Sequence, residues 1–111
     1  MQIVKNKDKQ NHKSDGATIE EFYMSNKTID TCIVHINGRY PKAGKVINSN
    51  FSCVCYVLEG NGKVCGENIT KGDAFNILKN ESYYFEGNFS MVMSGTPAFD
   101  PAQSKVIFDN Q

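Results

Sequence analysis

A chain of 111 residues with 12 basic and 12 acidic side chains and 40% hydrophobic residues has room for one domain and one core, which removes about two-thirds of the unfolded chain's surface from water. The balance of charge excludes a nucleic-acid binder that works through a basic surplus. No apolar run reaches the length of a membrane span and no signal-peptide-like segment opens the chain, so the expected compartment is the cytoplasm, where the four cysteines are expected to stay reduced.

In chain order, residues 1–16 come first and carry the one basic run, Lys5 to Lys13. They read as a solvated, mobile arm or as an extra strand. Short strand signals follow at Thr18–Met24, Asp30–Gly38, Ser52–Gly60, Gly62–Thr70, Asp73–Leu78, Ser82–Gly87, Phe89–Gly95 and Ser104–Asp109. They are rich in β-branched and aromatic residues, and Gly, Asn or Pro bounds most of them. No stretch sustains a helical period over three turns. The expected architecture is all-β, a sandwich or barrel in a single domain over residues 1–111.

Within Asp30–Gly38, His35 alternates with Cys32, Val34 and Ile36 and so faces away from them, toward the surface or a subunit interface. Arg39 is the one arginine beside eleven lysines. It precedes Tyr40 and Pro41, and the proline holds Tyr40 extended. The rigid fork of Arg39 suits an anionic ligand, and it suits an internal tie between loops equally well. Farther on, Glu59–Gly62 reads EGNG, the pattern of a tight hairpin turn with Asn61-Gly62 at its centre.

Alternation along Ser52–Gly60 puts Cys53, Cys55 and Val57 on one face and Val54, Tyr56 and Leu58 on the other. A strand apolar on both faces needs cover on both, which makes a homodimer the expected assembly. With a two-residue turn at Asn61-Gly62, Cys65 points away from the Cys53 face. Alternate residues on a strand sit near or beyond the ~7 Å limit for a disulfide. The thiols therefore read as small buried hydrophobes, against the sharper reading of a reactive or metal-binding pair. Tyr83, Tyr84 and Phe85 form an aromatic run with one face toward the interior. Phe89, Met91 and Met93 share a face as barrel filling, and Thr96–Gln103 reads as a loop crossing one end, with Phe99 as its cap.

The stretch YVLEGNGKV, followed by ITKGDAFNILKNESYYFEGN, resembles the small single-domain cupins, and most of all a group of short bacterial cupins that share an INGRYP segment, here Ile36–Pro41, and a TPA segment, here Thr96–Ala98. The resemblance carries motifs from about Tyr40 to Asn88 and extends to the end of the chain. It implies a double-stranded β-helix, the cupin jelly-roll barrel, and no particular reaction. Cupin motifs usually supply three histidines and a glutamate to a divalent metal. Here the glutamate position falls on Cys53, two histidine positions on Val46 and Asn48 (or Ile47 and Ser49), and the third on Tyr83. The resemblance thus implies a cupin without the family metal, with zinc or copper on cysteine thiolates as the alternative.

The sequence shows no nucleophile elbow and no phosphate-cradling loop. Tyr83, Cys53 and Glu81 are the general-base candidates near the expected cavity. The preferred reading is a metal-free barrel that binds a small anionic or carbohydrate-like molecule through Arg39, Tyr40, Cys53, Cys55, Tyr83 and Phe99. An isomerase- or epimerase-like enzyme, and an interaction module with a filled barrel, are the alternatives.

Overall fold

The computed structural model describes residues 1–108. The strands are β1 (Gln10–Ser14), β2 (Ala17–Glu21), β3 (Asp30–Tyr40), β4 (Lys45–Asn48), β5 (Ser52–Val64), β6 (Glu67–Thr70), β7 (Ala74–Ile77), β8 (Ser82–Tyr83), β9 (Phe85–Thr96) and β10 (Ser104–Ile107). The larger sheet runs β1-β2-β3-β9-β5-β6, with β7 also on β5, and the smaller runs β10-β4-β8. Every pairing is antiparallel. The expected all-β barrel is what the chain forms. Among the described residues, no helix is long and apolar enough to cross a membrane.

The core follows strand parity. Inward positions come from β2 (Ala17, Ile19), β3 (Val34, Ile36), β5 (Cys55, Val57) and β9 (Phe85, Phe89, Met91), and most are essentially inaccessible. Each such aliphatic or aromatic side chain contributes on the order of 1.5–3 kcal/mol by leaving water. Phe85 is the hub, meeting Phe75, Tyr83 and Phe89 at ring-centroid distances of 6.2, 5.2 and 6.2 Å.

Two expectations change. The basic run is not wholly a solvated arm, because its end enters β1 and pairs with β2, though every β1 residue stays exposed. Lys9, just before β1, forms an ion pair with Glu20. The hairpin turn is also not at EGNG. Strand β5 runs straight through Glu59–Gly62 and turns at Cys65 and Gly66, whose φ angles of 50° and 83° are those of a two-residue turn with both centres left-handed. The glycines of EGNG answer to β9 instead. A Cβ on Gly62 would meet Glu86 O at 2.3 Å and the Phe89 ring at 2.7 Å. The register also slips between Val57 and Glu59. That bulge moves the inward set from Cys53, Cys55 and Val57 to Gly60, Gly62 and Val64.

Candidate functional site

The register carries one inward row across five strands. Glu21 faces Cys32, Cys32 faces Met93, Met93 faces Cys55, and Cys55 faces Phe75. One rung toward the barrel mouth, Asp30 faces Gly95, which faces Cys53. These rungs border a chamber of about 80 Å³ whose lining includes Glu21, Asp30, Cys32, Tyr40, Tyr83, Phe85, Phe99 and Ser104.

Glu21 is the exceptional group. It is 8% exposed, and its Oε2 is buried with no hydrogen-bond partner. Burial, then the charge of Asp30 and a hydrogen bond to it, push the Glu21 carboxyl up to about 7. Asp30 is anchored as an acceptor, from Thr31 N at 2.8 Å and from Phe99 N at 3.1 Å. It therefore stays in place as the negative neighbour that opposes ionisation of Glu21.

On the opposite wall, Gln103 Nε2 donates to Asn48 Oδ1 at 3.1 Å, and Asn48 Nδ2 donates to Tyr83 Oη at 3.2 Å. Tyr83 therefore accepts from Asn48 and keeps its own O–H free to donate. Burial raises the pKa of Tyr83 despite that contact with Asn48, and it does the same for Tyr40. Both phenols remain protonated donors across the physiological range. Phe99 stands edge-on to Phe51 at 5.3 Å. It lines both the chamber and an outer groove of about 420 Å³ bounded by Tyr23, Lys27, Asn50 and Asp100.

Of the residues singled out from sequence, Tyr40, Tyr83 and Phe99 line the chamber, and Cys53 and Cys55 are buried beside it. The two sulfurs lie 4.0 Å apart. The hydrogen bond to Cys53, followed by burial, pushes the Cys55 thiol strongly up, so Cys55 is held as a thiol. Burial does the same to Cys32. Arg39 lies apart from this group. Its guanidinium donates to Pro41 O at 2.6 Å and Gly44 O at 2.9 Å, and stacks on Tyr84 at 4.4 Å, so its fork ties a loop. Glu81 is exposed and accepts from Leu78 N, while Cys65 is exposed in the hairpin turn.

The positions that carry a metal in cupin motifs hold Val46, Asn48, Cys53 and Tyr83, all buried. They offer an alkyl group, an amide, a thiol and a phenol, with no imidazole and no carboxylate, and do not fit a site for iron, manganese, nickel or zinc. Among the described residues, no three His, Cys, Asp or Glu side chains converge to hold an ion. The chemistry available to the chamber is that of Glu21, Asp30 and the two phenols.

Glu21 and Asp30 were not among the residues the sequence singled out. The signal for Glu21 is its parity, since Ala17, Ile19 and Glu21 share the apolar face of β2 and an acid in that series is out of place.

The two sheets closed around a central chamber define a cupin-type β-barrel. Among solved structures the chain is similar to Streptomyces Pac13, described as a nucleoside dehydratase, with a TM-score of 0.84 and 15% identity over 100% of this chain and 94% of that one. It is also similar to the polyketide cyclase RemF from Streptomyces resistomycificus (TM-score 0.73, 15% identity, 100% and 88% covered) and to an RmlC-like cupin from Shewanella frigidimarina (0.68, 17%, 86% and 90%). No family model matches the sequence, and no curated protein does.

Proposed function

We propose that the barrel chamber is a general acid–base site for a neutral, hydroxyl-bearing small molecule, with Glu21 as the group that takes or gives the proton. The observation that carries this reading is the buried, unpartnered Oε2 of Glu21, a residue that lines the chamber together with Asp30. A carboxyl with a pKa of about 7 is present in both forms at neutral pH, the condition under which one group serves best as base and then as acid. Tyr83, with its O–H free, is placed to donate to a substrate oxygen on which charge develops. Removal of a proton beside a carbonyl, followed by its return elsewhere or by loss of a hydroxyl as water, needs only these groups. Isomerisation and dehydration are therefore the reaction classes the geometry favours. The dehydratase among the structural neighbours supports the second.

The reacting end of the ligand is neutral. Glu21 and Asp30 repel an anion, and the Arg39 fork is already engaged by Pro41 and Gly44. A chamber of about 80 Å³ matches the liquid volume of two to three waters, at roughly 30 Å³ each. It takes the reacting end of a ligand, and the outer groove beyond Phe99 takes the rest. Binding without turnover uses the same chamber and is the second reading.

The test is ligand-observed NMR in deuterium oxide with uridine and with neutral aldoses. Binding is expected, and it is lost in Cys32→Leu, which fills the chamber. Exchange of a ligand C–H with solvent is expected to vanish in Glu21→Gln. Binding of sugar phosphates alone, or persistence of binding in Cys32→Leu, overturns the reading.

The outer face supports a homodimer. Val54 and Tyr56 are 58% and 49% exposed. Val54 borders an apolar groove with Met24, Ile29 and Leu78, and a second copy is the natural cover. Sedimentation equilibrium is expected to give twice the chain mass, and Val54→Lys to give a monomer.

A further inference from the structure

We infer that the outer face of the larger sheet carries a second site, for acyl transfer from small esters, with Ser90 as nucleophile and His35 as its base. The two residues sit directly opposite each other on β3 and β9, and His35 Nδ1 lies 2.7 Å from Ser90 Oγ. The other ring nitrogen, Nε2, is hydrogen-bonded to the Glu20 carboxylate. A nucleophile, a base and an acid that orients the base are thus linked in series, the geometry by which a weak hydroxyl becomes a nucleophile.

The chemistry at each end of the imidazole is set by its partner. Glu20 accepts a hydrogen bond and cannot give one while ionised, so it selects the tautomer with the proton on Nε2. That leaves the Nδ1 lone pair to receive the Ser90 proton. Glu20 is kept ionised by the hydrogen bond from Lys9 first and by His35 second, which lower its pKa.

A cavity of about 390 Å³ runs alongside, lined by His35, Ser90, Asn37, Asn88, Lys13 and Thr18 among others. Asn37 and Asn88 face each other one rung along the same face. They line the same cavity as Ser90, so their side-chain amides are the N–H donors the cavity offers to charge that develops on an acyl carbonyl. This site is separate from the barrel chamber, whose lining includes neither His35 nor Ser90.

The balanced step is as follows. Ser90 Oγ bonds to the acyl carbon and its proton passes to His35 Nδ1. The alcohol leaves and takes that proton. Water then gives a proton to His35 and its oxygen to the acyl carbon, the acyl–Oγ bond breaks, and His35 returns the proton to Ser90 Oγ, which releases the acid and restores both residues.

The experiment uses full-length protein carrying Cys65→Ser, which removes the exposed thiol as a competing nucleophile. It is treated with diisopropyl fluorophosphate and, separately, with p-nitrophenyl acetate. A single phosphoryl adduct on Ser90 is expected by peptide mass mapping. Hydrolysis of the acetate is expected to fall by about 10²-fold or more in Ser90→Ala and in His35→Gln. Glu20 is a positioning residue, and Glu20→Gln is expected to lower kcat while leaving KM unchanged. An unlabelled Ser90, acylation confined to lysines, or a Ser90→Ala protein that hydrolyses at the wild-type rate overturns the inference.

Discussion

The carboxyl of Glu21 stands beside that of Asp30 inside the barrel, and burial first and the charge of Asp30 second push the Glu21 pKa up to about 7. The two come from the facing ends of adjacent strands, the last residue of β2 and the first of β3. Asp30 takes its share of hydrogen bonds from backbone N–H groups of Thr31 and Phe99. Glu21 has no such support at Oε2. The asymmetry places the shift on Glu21, which burial first and the neighbouring Asp30 charge second keep protonated until near neutrality.

That assignment has a sign in stability. The folded state binds the Glu21 proton more tightly than the unfolded chain does, from a reference of 4.5 up to about 7. Its favourable contribution is complete below pH 4.5 and is lost as pH rises through 7. Glu21→Gln keeps the shape and needs no proton. Its melting temperature relative to wild type is therefore expected to differ least at pH 4, to rise through pH 5–7 and to be clearly higher at pH 8. A constant difference across that range, measured by scanning calorimetry, contradicts the account.

The cysteines are expected to divide by burial. Of the four, Cys65 alone is exposed, Cys32 is intermediate, and Cys53 and Cys55 are buried. A native-state thiol titration with a disulfide reagent should show one fast thiol, abolished by Cys65→Ser, with Cys53 and Cys55 released only on unfolding. Cys55→Ser should destabilise by about 1–3 kcal/mol, because it places a hydroxyl at a site with 0% exposure. A second fast thiol mapping to Cys53 counts against packing as the role of this pair.

Gly38, Gly87 and Gly62 form one row across β3, β9 and β5, and close approach fixes Gly87 and Gly62, while Gly38 has open space at its Cβ position and is held by its φ of +111° alone. At Gly87, φ is +123° and a Cβ would lie 2.6 Å from Gly62 Cα. Gly87→Ala is expected to cost about 2–4 kcal/mol by denaturant melting. Gly72 has φ +92° but nothing within 4 Å of its Cβ position, so Gly72→Ala should cost about 1 kcal/mol. Equal costs at the two sites contradict the crowding argument.

The alternation of short strands made the all-β class legible, and YVLEGNG with KGD made the barrel so. The tight turn was misplaced for a physical reason. Gly60 and Gly62 are required by contact with β9, while the residue that opens the real turn, Cys65 at φ 50°, has no side-chain preference that announces it. Glu21 was legible in principle, as an acid on the apolar parity of β2. Asp30 was not, because its role rests on the register that brings it beside Glu21. The contact of Ser90 with His35 likewise depends on the pairing of β3 with β9, which no local pattern encodes. Arg39 offered two readings in the sequence, and its contacts with Pro41 and Gly44 are those of the loop tie.

The central claim rests on one titration. Carbon-13 NMR of the side-chain carboxyls, with Glu21→Gln to assign the signal, follows Glu21 directly between pH 3 and 9. The account predicts a midpoint near 7. In Asp30→Asn it predicts a lower midpoint that still exceeds 4.5, because burial is the larger cause. A wild-type midpoint in the ordinary carboxylate range would mean that Glu21 is solvated and ionised at neutral pH, and it would remove the acid–base site from the barrel.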